Sequence, residues 1–128
     1  MDAIVNAANS QMLGCFIPMH MCIDNQIHTY AGVQLREECS HKMEELRAKY
    51  GSYYEQPTSV PMITAAYNLP AKNVIHVVGP IVRNRLTSEL EQELADCYTN
   101  VLNMCLENNL RSVAFCCIST CLLYTSPS

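Results

Sequence analysis

Apolar positions along the chain fall into two rhythms. The stretch 2–9 (DAIVNAAN) reads as a short buried strand that runs into a polar turn. Residues 10–22 hold Gly14 and Pro18 and keep no period, so they read as loop. From Asp24 to about Tyr30 the pattern suits a helix, with Asp24 at or near its start, where a carboxylate can cap free N–H groups. Gly32 then punctuates the chain. Leu35, Cys39, Met43, Leu46 and Tyr50 recur at steps of four, four, three and four, with charged residues between them. That spacing predicts a helix with one buried stripe, ended by Gly51.

The second half repeats the alternation. Pro61–Tyr67 (PMITAAY) and Asn73–Val78 (NVIHVV) read as strands, the latter covered on both faces because it is almost continuously apolar. Gly79-Pro80 ends it. A helix is expected from Ser88, with Ser88 and Glu91 spaced as a capping box and Leu90, Leu94, Cys97, Val101 and Cys105 as its stripe. Asn108-Asn109 can close it, and Ser112–Ile118 (SVAFCCI) reads as a further buried strand. Short buried strands alternating with amphipathic helices indicate an α/β layered domain. The pattern shows no repeat, linker or low-complexity tract.

Composition narrows the class. The chain has 128 residues, 49% hydrophobic and 16% charged. At roughly 150 residues per domain, this length predicts a single domain with a real core. Its apolar runs fall far short of the ~20 residues of a membrane helix. Asp2 and Asn6 interrupt what would be the apolar region of a signal peptide. A cytoplasmic protein without a membrane partner is expected.

The net charge is −4, and the basic residues are scattered, with Arg83 and Arg85 the densest pair. Nucleic acid is therefore not an expected partner, since phosphate neutralisation needs a clustered basic face. A small anion held by backbone amides at a helix start stays open. The eight cysteines divide into two kinds. Cys39, Cys97 and Cys105 sit in helical stripes, where a thiol behaves as a small hydrophobe. Cys15 and Cys22 flank His20 in the polar loop.

Cys15, His20 and Cys22 form the sharpest local signal. Two thiolates and an imidazole on one short loop are zinc-type ligands, and three ligands with an open position define a catalytic site. Buried thiols beside a surface histidine fit the same letters. Asn6-Ala-Ala-Asn9-Ser10 closes a strand, and in open α/β sheets the ligand crevice lies beyond such ends. Its amides can grip a sugar, and they serve equally in a plain turn. His76, inside a buried strand, reads as a hydrogen-bonded core histidine. His28, one turn from Asp24, can touch that carboxylate or simply pack. His41 lies on a polar helix face.

DAIVNAANS, GCFIPMHMCIDNQIH, YNLPAKNVIHVVGPI and SVAFCCIST resemble, in order, the landmarks of macrodomains. The loop between the first two resembles that of the zinc-dependent branch, the bacterial and fungal protein-ADP-ribose hydrolases. The likeness covers roughly residues 1–120. It implies a three-layer α/β/α domain whose mixed sheet holds ADP-ribose in a cleft at the strand ends. Asn9 would contact the distal ribose, and Cys22-Ile23-Asp24, with Asn25 beside them, would lie over ribose and diphosphate. Ser119 and Thr120 would embrace the diphosphate from the other side. Cys15, His20 and Cys22 would hold Zn2+.

The expected activity is removal of O-linked mono-ADP-ribose from modified proteins, with Asn9 and Asp24 as the catalytic pair. The alternatives are a non-catalytic ADP-ribose reader of the same fold, and a fragment whose Cys/His loop is structural. The chain departs from the resemblance at both ends. No strand carrying an adenine-reading aspartate precedes DAIVNAAN, and Cys121 stands where glycine is expected. The expected division is a partial macrodomain over 1–120 and a non-native tail over 121–128. A chain so divided is expected to fold poorly, with little activity of its own, and the activity named is that of its full-length parent.

Overall fold

The computed structural model describes residues 2–8, 23–80 and 87–115, apart from the side chains of Ile23 and Asn25. Strand β1 (Ala3–Ala8) is followed by helices α1 (Ile23–Ala31) and α2 (Val33–Tyr50). Strands β2 (Met62–Ala65) and β3 (Asn73–Val78), helix α3 (Ser88–Glu107) and the short strand β4 (Val113–Ala114) complete the order.

The four strands form one mixed sheet in the order β2-β3-β1-β4. β1 runs parallel to both β3 and β4, while β2 is antiparallel to β3. Asp2 fixes the entry to β1. Its carboxylate accepts the backbone N–H groups of Arg111 at 2.8 Å and Ser112 at 3.3 Å, ahead of β4. Those amide donors, with Lys72 nearby, hold the Asp2 carboxyl below its usual range.

Side chains alternate across each strand, so the sheet divides its residues between two cores. Ile27, Ala31, Leu35, Cys39 and Met43 of α1 and α2 pack against Met62 and Val74 on one face. Cys97, Val101 and Cys105 of α3 pack against Ala3, Val5, Ile75 and Val77 on the other. The result is three layers, with α1 and α2 on one side of the sheet and α3 on the other. Burying four consecutive residues of β3, Val74 to Val77, requires a cover on each face, as the apolar run predicts.

The helix boundaries follow local chemistry. Gly32 separates α1 from α2 at φ 96°, and its N–H donates to the His28 carbonyl at 3.2 Å. That left-handed backbone suits glycine. Gly51 closes α2 at φ 125°, with its N–H on the Arg47 carbonyl.

Three expectations need correction. Tyr50 is 60% exposed, because the end of α2 carries it past the core, where it stacks on Tyr54. Thr87, rather than Ser88, caps α3: its side chain accepts the Leu90 N–H at 3.2 Å. The strand expected over 61–67 is limited to Met62–Ala65, since Tyr67 turns to φ 51°. Among the described residues, no helix is long and apolar enough to cross a membrane.

Candidate functional site

Asn6 and His76 are register partners on the parallel strands β1 and β3, and Thr64 lies on the neighbouring strand β2. All three are buried on the face covered by α1 and α2. α1 brings Asp24 and His28 to the same place, and α2 brings Cys39. Five polar side chains and the Cys39 thiol thus meet in this layer, close to the carboxyl end of β1.

Their contacts are specific. The Asn6 amide Nδ2 donates to Asp24 Oδ1 at 2.8 Å and lies 3.0 Å from His76 Nδ1. On the far side of the ring, His76 Nε2 lies 3.0 Å from Thr64 Oγ1 and 3.7 Å from Cys39 Sγ. Thr64 Oγ1 donates to the Ala65 carbonyl at 3.0 Å. His28 Nε2 stands 3.5 Å from Asp24 Oδ1, and its ring tilts against that of His76. This spacing exceeds that of a good hydrogen bond, and neither ring nitrogen of His28 has a hydrogen-bond partner among the described residues. The same holds for Asn6 Oδ1.

Burial sets the charge states. It raises the Asp24 carboxyl above its ordinary value, against the Asn6 hydrogen bond and the Arg36 charge that pull it down. Burial lowers His28 to about 4, assisted by Arg36. It lowers His76 to about 3, so both rings are neutral near pH 7. Burial, with Glu38 and Asp24 beside it, pushes the Cys39 thiol up to about 12.

His28, Cys39 and His76 offer ligand atoms within 4.8 Å of one another, a spacing that a metal ion can bridge. The hydrogen bonds argue for a different use. Both nitrogens of His76 already face polar partners, Asn6 on one side and Thr64 on the other. The cluster is a hydrogen-bonded core in which His76 has the role its sequence context predicts. Elsewhere, an open cavity of about 680 Å³ lies between α2 and the β2 edge, lined by Lys42, Lys49, Tyr54 and Met62. It shares no residue with the Asp24 cluster.

Against this fold and geometry, the Macro domain family profile matches residues 5–127. The chain belongs to the macrodomain family. Its similarity to named members is high. It is 54% identical over 119 residues to a Treponema medium protein named Protein-ADP-ribose hydrolase, covering 93% of this chain and 43% of that protein. A Staphylococcus aureus protein of the same name (strain MSSA476) is 48% identical over 120 residues, again with 93% and 43% coverage. The chain thus spans less than half the length of these relatives.

Among solved structures, an Oceanobacillus iheyensis macrodomain with ADP superposes with a TM-score of 0.76 at 37% identity, covering 93% of this chain and 57% of that one. A Trypanosoma brucei macrodomain in complex with ADP-ribose gives 0.70 at 37% identity, with 98% and 44% coverage. These likenesses agree with a macrodomain fold built on a mixed sheet flanked by helices.

Of the residues expected to act in this macrodomain, Asp24 is the one whose side chain is described. It sits one residue inside α1 and reaches back to Asn6 on β1, where the sequence suggested a helix cap or a ribose contact. Ile23 and Asn25 lie in the first turn of α1, and their side chains are outside the described residues. Asn9, Cys15, His20, Cys22, Ser119 and Thr120 also lie outside the described residues, as does the 121–128 stretch. Sequence reasoning missed the pairing of Asn6 with Asp24 and gave no part to Thr64. The NVIHVV run was the available signal, because a histidine inside a strand covered on both faces must find partners on adjacent strands.

Proposed function

We propose that this macrodomain belongs to a zinc-dependent hydrolase that removes O-linked mono-ADP-ribose from modified proteins. The observation that carries this reading is the buried Asp24 carboxylate, fixed by Asn6 at the first turn of α1. It is supported by 54% identity to a protein named Protein-ADP-ribose hydrolase and by macrodomains of the same fold with ADP or ADP-ribose.

The roles follow from ordinary chemistry. ADP-ribose lies beyond the carboxyl ends of β1 and β3, where open α/β sheets bind ligands. Backbone N–H groups in the first turn of α1, at Ile23 and Asn25, receive the diphosphate, and the helix dipole favours its charge. This lets a chain of net charge −4 bind an anion. Ser119 and Thr120 contribute from the opposite side. Asn9 fixes the distal ribose. Asp24 orients the attacking water and takes its proton, a task for which a carboxyl raised by burial is better suited than an exposed one. The water oxygen bonds to the ribose carbon as that carbon's bond to the protein oxygen breaks, and the proton taken by Asp24 passes to the departing oxygen.

Cys15, His20 and Cys22 are the residues that hold zinc in this reading. Two thiolates and one imidazole are a donor set that this ion prefers, with one coordination position left open. Bound there, zinc supplies Lewis-acid polarisation of an oxygen.

The test is release of ADP-ribose from an ester-linked mono-ADP-ribosylated protein by the native protein, with metal content measured in parallel. Asp24→Asn is expected to lower kcat by about 10²- to 10⁴-fold. Cys22→Ala is expected to lose both bound zinc and activity. Undiminished release by Cys22→Ala refutes the zinc assignment. ADP-ribose binding without turnover at full zinc occupancy replaces the hydrolase with a reader.

A further inference from the structure

We propose that His76 is a positioning residue, which holds Asn6 and through it the Asp24 carboxylate by a hydrogen-bond chain of fixed direction. The inference rests on the hydrolase reading above and deepens it.

The direction follows from what each group can donate. A carboxylate only accepts, so the Asn6 atom 2.8 Å from Asp24 Oδ1 is the NH2 group. That same nitrogen lies 3.0 Å from His76 Nδ1, and its second hydrogen points there, so Nδ1 must be the bare nitrogen of the ring. The ring proton of a neutral imidazole then sits on Nε2 and is donated to Thr64 Oγ1 at 3.0 Å. Thr64 passes its own hydroxyl hydrogen to the Ala65 carbonyl at 3.0 Å. Every link is consistent from the β2 backbone to Asp24, across three strands and one helix. Reversing the ring tautomer would set two donors against each other at Nδ1 and leave Thr64 without its donor.

The chain explains why a histidine stands in the apolar run NVIHVV. A leucine would fill the space and leave the Asn6 amide held by Asp24 alone. With Asn6 Oδ1 unpartnered among the described residues, the amide has no second anchor there. His76 supplies the acceptor that holds the amide from a second side. Misplacing a catalytic group by about 1 Å can cost roughly 100-fold in rate, so such an anchor has a kinetic consequence.

Two substitutions separate positioning from packing. In His76→Asn the side-chain oxygen falls near the position of Nδ1 and can still accept from Asn6. In His76→Gln the amide reaches toward Thr64 and leaves no acceptor at the Nδ1 position, although glutamine fills more of the space. Steady-state release of ADP-ribose and thermal unfolding would be measured for both in the native protein. The expected result is that His76→Gln loses about 10- to 100-fold in kcat with KM little changed, while His76→Asn restores most of the rate. A pure packing role predicts the reverse order, with rate following stability and glutamine the milder change; that order overturns the proposal. A ¹⁵N NMR measurement of the His76 ring gives a second readout, independent of turnover. The proton is expected on Nε2, and finding it on Nδ1 also overturns the proposal. If the wild-type protein releases no ADP-ribose, the hydrolase reading fails separately, and the ring tautomer still decides the hydrogen-bond chain.

Discussion

The two faces of one sheet are built on different terms. On the α3 face, Ala3, Val5, Ile75 and Val77 meet Cys97, Val101 and Cys105, and among the described residues this packing is apolar apart from the Cys97 thiol, which donates to the Val78 carbonyl at 3.5 Å. On the α1/α2 face, the same strands place Asn6, Thr64 and His76 against Asp24 and His28, among residues such as Leu35 and Met43. A buried polar group without a partner costs roughly 1–3 kcal/mol, so the second arrangement is harder to stabilise than the first. The α3 face shows that this sheet can be covered without such groups. Polarity on the other face is therefore tied to what lies at the end of β1, where Asn6 holds Asp24.

Adjacent residues of β1 allow the sharpest test. Val5 and Asn6 are both fully buried and point to opposite faces. Asn6→Ala deprives Asp24 of its donor and His76 of its partner, with an expected cost of about 3 kcal/mol. Val5→Ala removes apolar volume and is expected to cost about 2 kcal/mol. Their coupling to Asp24 separates them more clearly than their size. In an Asp24→Asn background the cost of Asn6→Ala should change by about 1–3 kcal/mol, and that of Val5→Ala by less than about 0.5 kcal/mol. Urea titrations of the four variants measure this. Equal coupling for both would mean that the polar cluster is energetically no different from the apolar core.

The sequence made one of these faces far easier to read than the other. Periodicity located the α3 stripe, and the structure buries Cys97, Val101 and Cys105 from it. Apolar contact needs no particular partner, so the pattern alone was sufficient. The polar face depends on register. Asn6 stood out in the sequence as a turn or sugar-gripping amide, and His76 as a satisfied core histidine, yet nothing in their spacing pairs them. The parallel alignment of β1 with β3 places them side by side. Asp24 was recognised at the start of α1, and its bond to Asn6 depends on how that helix docks. The Cys15/His20/Cys22 loop lies outside the described residues, so its reading as a donor set rests on the sequence spacing alone.

Acid separates the faces again. His28 and His76 titrate at about 4 and about 3 in the folded chain, against 6.5 without the fold. Below pH 6.5 the unfolded chain binds protons that the folded rings refuse, so stability falls as pH falls toward about 4. Each histidine contributes a slope of up to about 1.4 kcal/mol per pH unit. Asp24 acts in the opposite sense. Its carboxyl is raised above 3.8, so the folded state takes that proton first and softens the fall at the lower end of the window. His76→Asn should flatten the dependence of the unfolding midpoint between pH 7 and pH 5. At alkaline pH the asymmetry disappears. Burial raises Cys39 on one face to about 12 and Cys97 on the other to about 11, so both faces lose stability above about pH 9, where unfolded thiols ionise first. A wild-type midpoint that does not move between pH 7 and pH 5 would remove the histidines from this account.

The smallest effect lies at the entry to the apolar face. The sequence offers Ser88 and Glu91 as a capping pair for α3, and the structure uses Thr87. One residue decides the matter, because the cap must hold an extended backbone while its side chain turns back to the N–H three positions on. Thr87 has φ −98° and ψ 168°, and its side chain accepts the Leu90 N–H at 3.2 Å. Ser88 is already inside the helix, where its hydroxyl no longer faces those donors. Glu89 and Glu91 remain in the first turn and favour the helix dipole without closing a box. Thr87→Ala is therefore expected to cost about 1 kcal/mol and Ser88→Ala less than about 0.5 kcal/mol, read from urea midpoints at pH 7. Neither substitution should alter the acid dependence, since the histidines that produce it lie across the sheet. The reverse order of costs would move the start of α3 by one residue and restore the capping box. An acid dependence that changed with Thr87 would show that the two faces are not energetically separate.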